Sequence, residues 1–250
     1  MKRIIVTDDI FKTAADRFAD LARTAINARG RFDVALAGGT TPKSLYRLLA
    51  SEPYRSKIDW AKVFFFFGDE RFVPFNDPKS NFRMADESLF RPLGIAESQI
   101  FRWPTEEPNP ASIAERYATS IASHFAAQST DCPRFDLVLL GLGEDGHTAS
   151  LFPETAALAE FTATTLACFV EKLGAWRFSL TFPLINRART VIFLVSGEKK
   201  ADVVRDVFDP DHSVSAIPAR GVESDDLLFL IDRPAARLID PEKLNENSAA

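Results

Sequence analysis

A histidine and two carboxylates follow a short apolar run in the middle of the chain. Residues 141–153 read Gly-Leu-Gly-Glu-Asp-Gly-His-Thr-Ala-Ser-Leu-Phe-Pro and come directly after the mostly apolar residues 135–140. Histidine is the residue type that most readily exchanges a proton near neutral pH, and glycines let the backbone turn sharply and approach a ligand. The segment therefore predicts an acid/base site at a strand end, with His147 and Asp145 as candidate catalytic residues and Gly143 beside the substrate.

A glycine-threonine segment offers a place for an anion. Gly38-Gly39-Thr40-Thr41-Pro42 joins an apolar run to a predicted helix. Free backbone N–H groups and the positive end of a helix dipole favour anions at such a position. Gly39, Thr40 and Thr41 are therefore candidate phosphate-binding residues, although a tight turn with an ordinary helix cap has the same pattern. This segment is not a Walker loop and does not contain GxGxxG, so no nucleotide cofactor is expected here.

A second polar segment, Gly68-Asp69-Glu70-Arg71, also follows an apolar run. Arg71 carries the planar guanidinium that can bind phosphate through two hydrogen bonds. Asp69 or Glu70 could orient this guanidinium or accept hydrogen bonds from sugar hydroxyls; the alternative is a solvated ion pair at the sheet edge. The loop that follows could return Asn81 to the same site.

Two lysines lie where another helix is expected to begin, in Gly197-Glu198-Lys199-Lys200. Cations are unfavourable near a helix N-terminus, which suggests that one of them has a functional role. We expect Lys199 to meet a substrate phosphate, and a solvated surface position is the alternative.

The sequence predicts no metal site and no cofactor. It contains neither HxH nor HExxH, and Cys132 and Cys168 form no CxxC pair, so both are expected to be reduced thiols. Ser150 lacks the GxSxG pattern of a serine nucleophile. His124 and His212 are expected to be solvated and to take no part in catalysis.

Predicted strands and helices alternate along the chain. Apolar or alternating runs predict strands at residues 33–37, 63–67, 137–140, 166–170, 177–182, 190–195 and 227–231. Periodic apolar residues predict helices at residues 10–29, 42–50, about 83–90 and about 113–125. This alternation indicates an α/β fold with a doubly wound, mainly parallel sheet, helices on both faces and a small antiparallel excursion. The polar segments would then meet at one sheet edge.

Length and charge restrict the class of protein further. The 250 residues suit a single domain over residues 1–245, with residues 246–250 as a frayed tail. A net charge of −5 provides no basic surface for nucleic acid. No run approaches the ~20 apolar residues of a membrane span, and the start of the chain does not resemble a signal peptide. We therefore expect a cytoplasmic enzyme without nucleic-acid or membrane partners.

Several segments together resemble the 6-phosphogluconolactonase family, in order along most of the chain. They are Gly38-Gly39-Thr40-Thr41-Pro42, Gly68-Asp69-Glu70-Arg71, Ser80-Asn81, residues 140–153, Arg177-Phe178-Ser179-Leu180-Thr181, Gly197-Glu198-Lys199-Lys200, and Ile217-Pro218-Ala219 with Asp232. The resemblance implies hydrolysis of 6-phospho-D-glucono-1,5-lactone in the oxidative pentose phosphate pathway, without a metal or organic cofactor. It implies the fold shared with ribose-5-phosphate isomerase and glucosamine-6-phosphate deaminase. It also implies that His147 is the general base and that Arg71 and Lys199 contact the phosphate.

Two positions and one segment depart from the family pattern. Ala37 stands where serine is common, Glu154 where glycine is common, and residues 171–176 lack a frequent Lys-Pro-Pro stretch. These departures concern loop shape and the role of Arg177. The small-molecule partner is expected to be a phosphorylated sugar lactone, and the protein a monomer or weak dimer.

The expected mechanism is hydrolysis by a general base. His147 would take a proton from the attacking water, Asp145 or a backbone carbonyl would hold the imidazole, and backbone N–H groups of a glycine turn would stabilise the oxyanion. One alternative is a glucosamine-6-phosphate deaminase, although that family carries Asp-Glu-Tyr in place of Asp69-Glu70-Arg71. Another is a sugar-phosphate sensor domain without catalysis, which would require a DNA-reading helix-turn-helix.

Overall fold

Two sheets organise the part of the chain that the structure, a computed structural model, describes: residues 2–126 and 132–240. The strands are β1 (Lys2–Thr7), β2 (Phe32–Leu36), β3 (Val63–Phe67), β4 (Asp69–Arg71), β5 (Leu137–Leu140), β6 (Thr165–Val170), β7 (Ala175–Leu180), β8 (Thr190–Val195) and β9 (Asp226–Asp232). A six-stranded sheet has the order β1-β9-β8-β5-β2-β3, and all its pairs are parallel. The expected mainly parallel α/β fold is confirmed.

The centre of the large sheet is covered on both faces. Every residue of β2, β5 and β8 is buried. Because successive side chains of a strand point to opposite faces, continuous burial requires a packed layer on each side, as is usual for parallel sheets. The apolar runs of the sequence therefore predicted these strands well. No strand was predicted at β1, whose residues are mostly only partly buried.

The helices alternate with these strands. They are α1 (Ile10–Arg29), α2 (Thr40–Leu49), α3 (Tyr54–Lys57), α4 (Asn81–Ala85), α5 (Arg91–Leu93), α6 (Pro110–Ala126), α7 (Phe182–Asn186), α8 (Ala201–Phe208) and α9 (Arg233–Ala236). The prediction for α1 is confirmed at both ends, with Gly30 closing the helix at a φ of 77°. The helix expected at 83–90 instead begins at Asn81 and continues as a π-helical turn over Asp86–Phe90.

The start of α2 differs from the prediction. The helix was expected to begin at Pro42, but it begins at Thr40 and Gly39 is its N-cap residue. Gly39 has a φ of 103°, a conformation that glycine adopts without steric cost. Tyr46 in α2 donates a hydrogen bond to the carbonyl of Ala37 at 2.8 Å, which fixes the helix against the end of β2.

A smaller antiparallel sheet has the order β4-β7-β6. The pair β6–β7 matches the predicted antiparallel excursion. Its third strand, β4, was not predicted, because Asp69-Glu70-Arg71 has no apolar alternation. Since β4 follows β3 after one residue, Gly68, the chain passes directly from the large sheet into the small one.

The order of the large sheet creates a crevice between β2 and β5. The chain leaves β2 toward β3 on one side, and it leaves β5 toward β8 and β9 on the other. Loops that leave neighbouring strands in opposite directions open a crevice at the carboxyl ends of these strands. The candidate site lies there.

The opposite end of the sheet carries a buried histidine–carboxylate pair. His124 was expected to be solvated, which is wrong: its Nε2 lies 2.7 Å from Oδ1 of Asp33, and both side chains are buried. The ring packs against Phe64, Phe66 and Phe101. The buried face of α6 is therefore wider than its four-residue apolar stripe suggested.

Some predictions fall outside the described residues or remain open. The frayed tail at 246–250 lies outside them, and the single domain over 1–245 stays a prediction. Within residues 2–126 and 132–240, no helix has both the length and the apolar character needed to cross a membrane.

Candidate active site

A cavity of about 220 Å³ occupies the crevice at the carboxyl ends of β2, β3, β5 and β8. Its lining includes glycines that follow three of these strands: Gly38, Gly39, Gly68, Gly141 and Gly143. The polar side chains of the lining are those of Asp69, Arg71, His147 and Lys200. One imidazole, one carboxylate and two cations therefore share one small space.

The loop after β5 is a tight turn that presents His147. The N–H of Gly143 donates to the carbonyl of His147 at 2.8 Å, and the N–H of Gly146 donates to the carbonyl of Gly143 at 3.1 Å. Gly146 has a φ of 82°, which favours glycine. At Gly143 the reason is space: a Cβ there would lie 2.0 Å from Nδ1 of His147. The turn can hold this imidazole only because Gly143 has no side chain.

Asp145 holds one nitrogen of the imidazole. Its Oδ1 lies 2.5 Å from Nδ1 of His147, and its Oδ2 accepts a hydrogen bond from Nζ of Lys172 at 3.1 Å. Burial opposes ionisation of Asp145, but the hydrogen bond and charge of His147, together with Lys172, outweigh it and lower the pKa of this carboxyl to about 2. Glu144 is exposed. Of the two acids of the turn, Asp145 is therefore the partner of the imidazole.

The imidazole is also held by its packing. The ring of Phe152 stacks on that of His147, with centroids 4.2 Å apart and an interplanar angle of 24°. With Nδ1 engaged by Asp145, Nε2 is the ring nitrogen left for the cavity. A carboxylate on Nδ1 favours the tautomer whose Nε2 carries a lone pair, which is the form needed to take a proton.

Asp69 lies in the cavity wall and is fixed by two donors. Ser150 donates from Oγ to Oδ2 of Asp69 at 2.8 Å, and Asn81 donates from Nδ2 to Oδ1 at 3.0 Å. Asn81 itself is not part of the lining: its amide packs against Gly38, where a Cβ would lie 2.0 Å from Oδ1 of Asn81. In this structure Asn81 therefore contacts Asp69 and does not line the cavity.

Glu70 and Arg71 point to different environments. Glu70 is buried, and its carboxylate accepts hydrogen bonds from the N–H groups of Arg71, Asn81 and Phe82 at 2.8–2.9 Å. Burial raises the pKa of Glu70, and these backbone donors partly offset the rise. Arg71 lines the cavity instead. Because successive side chains of β4 point to opposite faces, Glu70 is buried in the core, whereas Asp69 and Arg71 line the cavity.

Arg177 lies opposite Arg71 across the β4–β7 pair. Burial lowers the pKa of the Arg177 guanidinium, and the charge of Arg71 lowers it further. Like charges directly opposite each other in a sheet are unfavourable. The two guanidinium side chains are therefore neighbours, although Arg177 is not in the cavity lining.

The structure brings Lys200, not Lys199, into the cavity. Lys199 is exposed, whereas Lys200 is partly buried and belongs to the lining. Both lie in a 3₁₀ turn over Glu198–Lys200, in which successive side chains point about 120° apart. Asp232 fixes the start of this turn by accepting a hydrogen bond from the N–H of Gly197 at 2.9 Å. Two adjacent lysines offer no sequence signal that distinguishes them.

The remaining predicted residues lie at the edge of the site. Gly39 lines the cavity, but Thr40 and Thr41 do not. Gly143 lines it too, yet its N–H is already used within the turn, so it is not an oxyanion donor in this conformation. In the ranges 2–126 and 132–240, no group of three or more His, Cys, Asp or Glu side chains is arranged to hold a metal ion.

Comparisons with known proteins relate most of the chain to one family. Residues 6–229 match the sequence model described as glucosamine-6-phosphate isomerases/6-phosphogluconolactonase. The 6-phosphogluconolactonase of Synechocystis is 41% identical over 218 residues, covering 87% of this chain and 88% of the relative. That of Nostoc is 39% identical, covering 85% and 86%. A solved structure of 6-phosphogluconolactonase from Trypanosoma cruzi superposes with a TM-score of 0.82 at 28% identity, covering 95% of this chain and 96% of that one.

Proposed function

This chain belongs to the glucosamine-6-phosphate isomerase/6-phosphogluconolactonase family, and we propose from this premise that it hydrolyses 6-phospho-D-glucono-1,5-lactone to 6-phospho-D-gluconate. The reaction belongs to the oxidative pentose phosphate pathway. The observation that carries the proposal is the His147–Asp145 pair, which shares one cavity with the cations of Arg71 and Lys200. The imidazole can act on an ester bond of the substrate while the two cations bind a phosphate group of the same molecule.

His147 acts as the general base in this proposal. Nε2 takes a proton from water while the water oxygen forms a bond to the lactone carbonyl carbon. When the tetrahedral intermediate collapses, the bond from this carbon to the ring oxygen breaks, and the imidazolium returns its proton to the leaving oxygen. Asp145 fixes the ring through Nδ1 and stabilises the positive charge that the imidazole acquires during the step.

Arg71 and Lys200 bind the phosphate, and Lys200 replaces Lys199 in this role. The turn at Gly39, with Thr40 and Thr41, adds the N-terminal end of α2, where a helix dipole favours an anion. Asp69, held by Ser150 and Asn81, accepts hydrogen bonds from sugar hydroxyls. Binding energy from the phosphate then fixes the reacting carbon against the base.

An assay of lactone disappearance tests this function. Glucose-6-phosphate dehydrogenase generates the lactone in place, and its loss is compared with spontaneous hydrolysis in a blank without the protein. The wild type should exceed the blank clearly, and His147→Ala should lower kcat about 10²–10⁴-fold while substrate affinity is retained. A wild type that hydrolyses no lactone, but releases ammonia from glucosamine 6-phosphate, would overturn the proposal.

We further propose that the protein works in the cytoplasm as a monomer or weak dimer. Membership of a family of sugar-phosphate enzymes supports the location. Sedimentation velocity over a range of protein concentrations tests the assembly. A stable larger oligomer at low concentration would contradict it.

A further inference from the structure

Lys172 reaches the catalytic pair from a different sheet. It lies in a 3₁₀ turn over Glu171–Leu173 that joins β6 to β7, and Gly174 ends this turn with a φ of 56°. Its Nζ lies 3.1 Å from Oδ2 of Asp145, while Oδ1 of the same carboxylate lies 2.5 Å from His147. We propose that Lys172 is a positioning residue, which holds Asp145 in the orientation that fixes the imidazole. This inference rests on the proposed function.

The hairpin that carries Lys172 has a defined geometry. Phe169 and Trp176 are direct partners in the β6–β7 register, and their rings meet edge to face at 5.6 Å. On its other side β7 pairs with β4, the strand that carries Arg71. One small sheet thus holds Lys172 at its hairpin and Arg71 on its edge strand. The same small sheet therefore places Lys172 against Asp145 and Arg71 in the cavity lining.

The charges around Asp145 explain why a further cation matters. His147 and Lys172 are its bonded partners, Lys200 interacts with it electrostatically, and Glu144 precedes it in the exposed part of the turn. A carboxylate with only one bonded partner could rotate and release the imidazole. Lys172 occupies the second oxygen and makes the observed orientation the favoured one.

The expected effect is modest because Lys172 is 71% exposed. Water and salt screen a charge in this position, and exposed ion pairs contribute little. Loss of the pair should therefore reduce kcat about two- to five-fold, and the loss should shrink as ionic strength rises. The effect should fall on kcat rather than on KM, because Lys172 acts through Asp145 and not on the substrate.

The test compares Lys172→Met and Lys172→Arg with a matched control. Lys62→Met removes another exposed lysine whose Nζ also lies 3.1 Å from an aspartate oxygen, that of Asp59, just before β3 at the opposite sheet edge. At about 0.02 M salt, K172M should lose kcat two- to five-fold, K172R should restore it, and K62M should match the wild type.

Two further measurements separate positioning from a general structural effect. At about 0.5 M salt the difference between K172M and the wild type should narrow. Without the cation the His147–Asp145 pair takes up a proton more readily, so the acid limb of the kcat profile should move to higher pH. The thermal midpoint of K172M should stay at that of the wild type.

Three results would overturn the role of Lys172. They are an unchanged kcat in K172M at low salt, a loss confined to KM, and a failure of K172R to restore kcat. If the wild type and K62M hydrolyse the lactone, the proposed function stands whatever K172M does. If the wild type does not hydrolyse it, the proposed function itself fails.

Discussion

Replacing Gly143 with alanine should disable the base without unfolding the protein. The added Cβ would lie 2.0 Å from Nδ1 and 2.3 Å from Cε1 of His147, and 2.7 Å from Oδ1 of Asp145. Ordinary contacts of a methyl group begin near 3.5 Å. Gly143 has no positive φ, so its backbone accommodates alanine. The side chains must move instead, and they are the catalytic pair.

The size of the effect follows from this displacement. The imidazole has to retreat by more than an ångström, which breaks its 2.5 Å contact with Asp145 and its stacking on Phe152. A misplacement of about 1 Å costs roughly 10²-fold in rate. We therefore expect Gly143→Ala to lower kcat about 10²-fold or more in the lactone assay, with KM and the thermal midpoint close to those of the wild type.

Gly141→Ala is the matched control. It adds the same methyl group to the same turn, but its Cβ has no protein atom within 4 Å. The geometry of His147, and with it kcat, should stay within a few-fold of the wild type. Because Gly141 lines the cavity, any effect of the added methyl group should fall on KM. A double variant of Gly143→Ala and His147→Ala should be no slower than His147→Ala alone, because both changes remove the same interaction. Full kcat in Gly143→Ala would refute the assignment of this imidazole as the base.

Three further perturbations test the site. Asp145→Asn should lower kcat roughly 10²–10⁴-fold, because the amide can stabilise the wrong tautomer of His147. In the wild type, the pKa of Asp145 is about 2, so its ionisation should cause no change in the pH–rate profile above pH 4. Lys200→Met should raise KM about 10- to 100-fold, as expected for a charge-assisted hydrogen bond, while Lys199→Met should leave KM unchanged. Glu70→Gln should destabilise the fold by about 1–3 kcal/mol at neutral pH in urea unfolding, because amide hydrogens would face backbone N–H donors.

The raised pKa of Glu70 also predicts a pH dependence of stability. The folded state binds the proton of the Glu70 carboxyl more tightly than the unfolded chain does. The resulting contribution to the free energy of unfolding is fully present below the unfolded pKa of Glu70 and is lost as the pH rises through its folded pKa. Urea midpoints of Glu70→Gln should lack this decline. If the urea midpoints of the wild type and Glu70→Gln change in parallel from pH 4 to 7, the raised pKa of Glu70 is contradicted. Equal KM values for Lys200→Met and Lys199→Met would contradict the assignment of Lys200 to the phosphate.

The sequence predicted the framework of the site because buried strands have a strong signal. The apolar runs at Val63–Phe67, Leu137–Leu140 and Thr190–Val195 match the strands found. Parallel strands in a doubly wound sheet place their carboxyl ends at one edge. The grouping of Gly38, Gly68 and Gly141 around one cavity follows from this rule alone.

Details that depend on side-chain direction could not be predicted in the same way. Lys199 and Lys200 are chemically identical, and only the 3₁₀ turn decides which one enters the cavity. The burial of His124 depends on Asp33, which is distant in sequence. Lys172 was missed because its partner, Asp145, lies on a loop of the other sheet.

The pairing of β1 has a consequence for how the molecule is made. Within the described residues, β1 pairs in the large sheet with β9 alone, so that Lys2 lies opposite Leu227. During synthesis, β1 has no partner in this sheet until β9 has been made. Contacts between such distant residues slow folding. We therefore expect the pairing of β1 with β9 to be among the last steps that complete the large sheet.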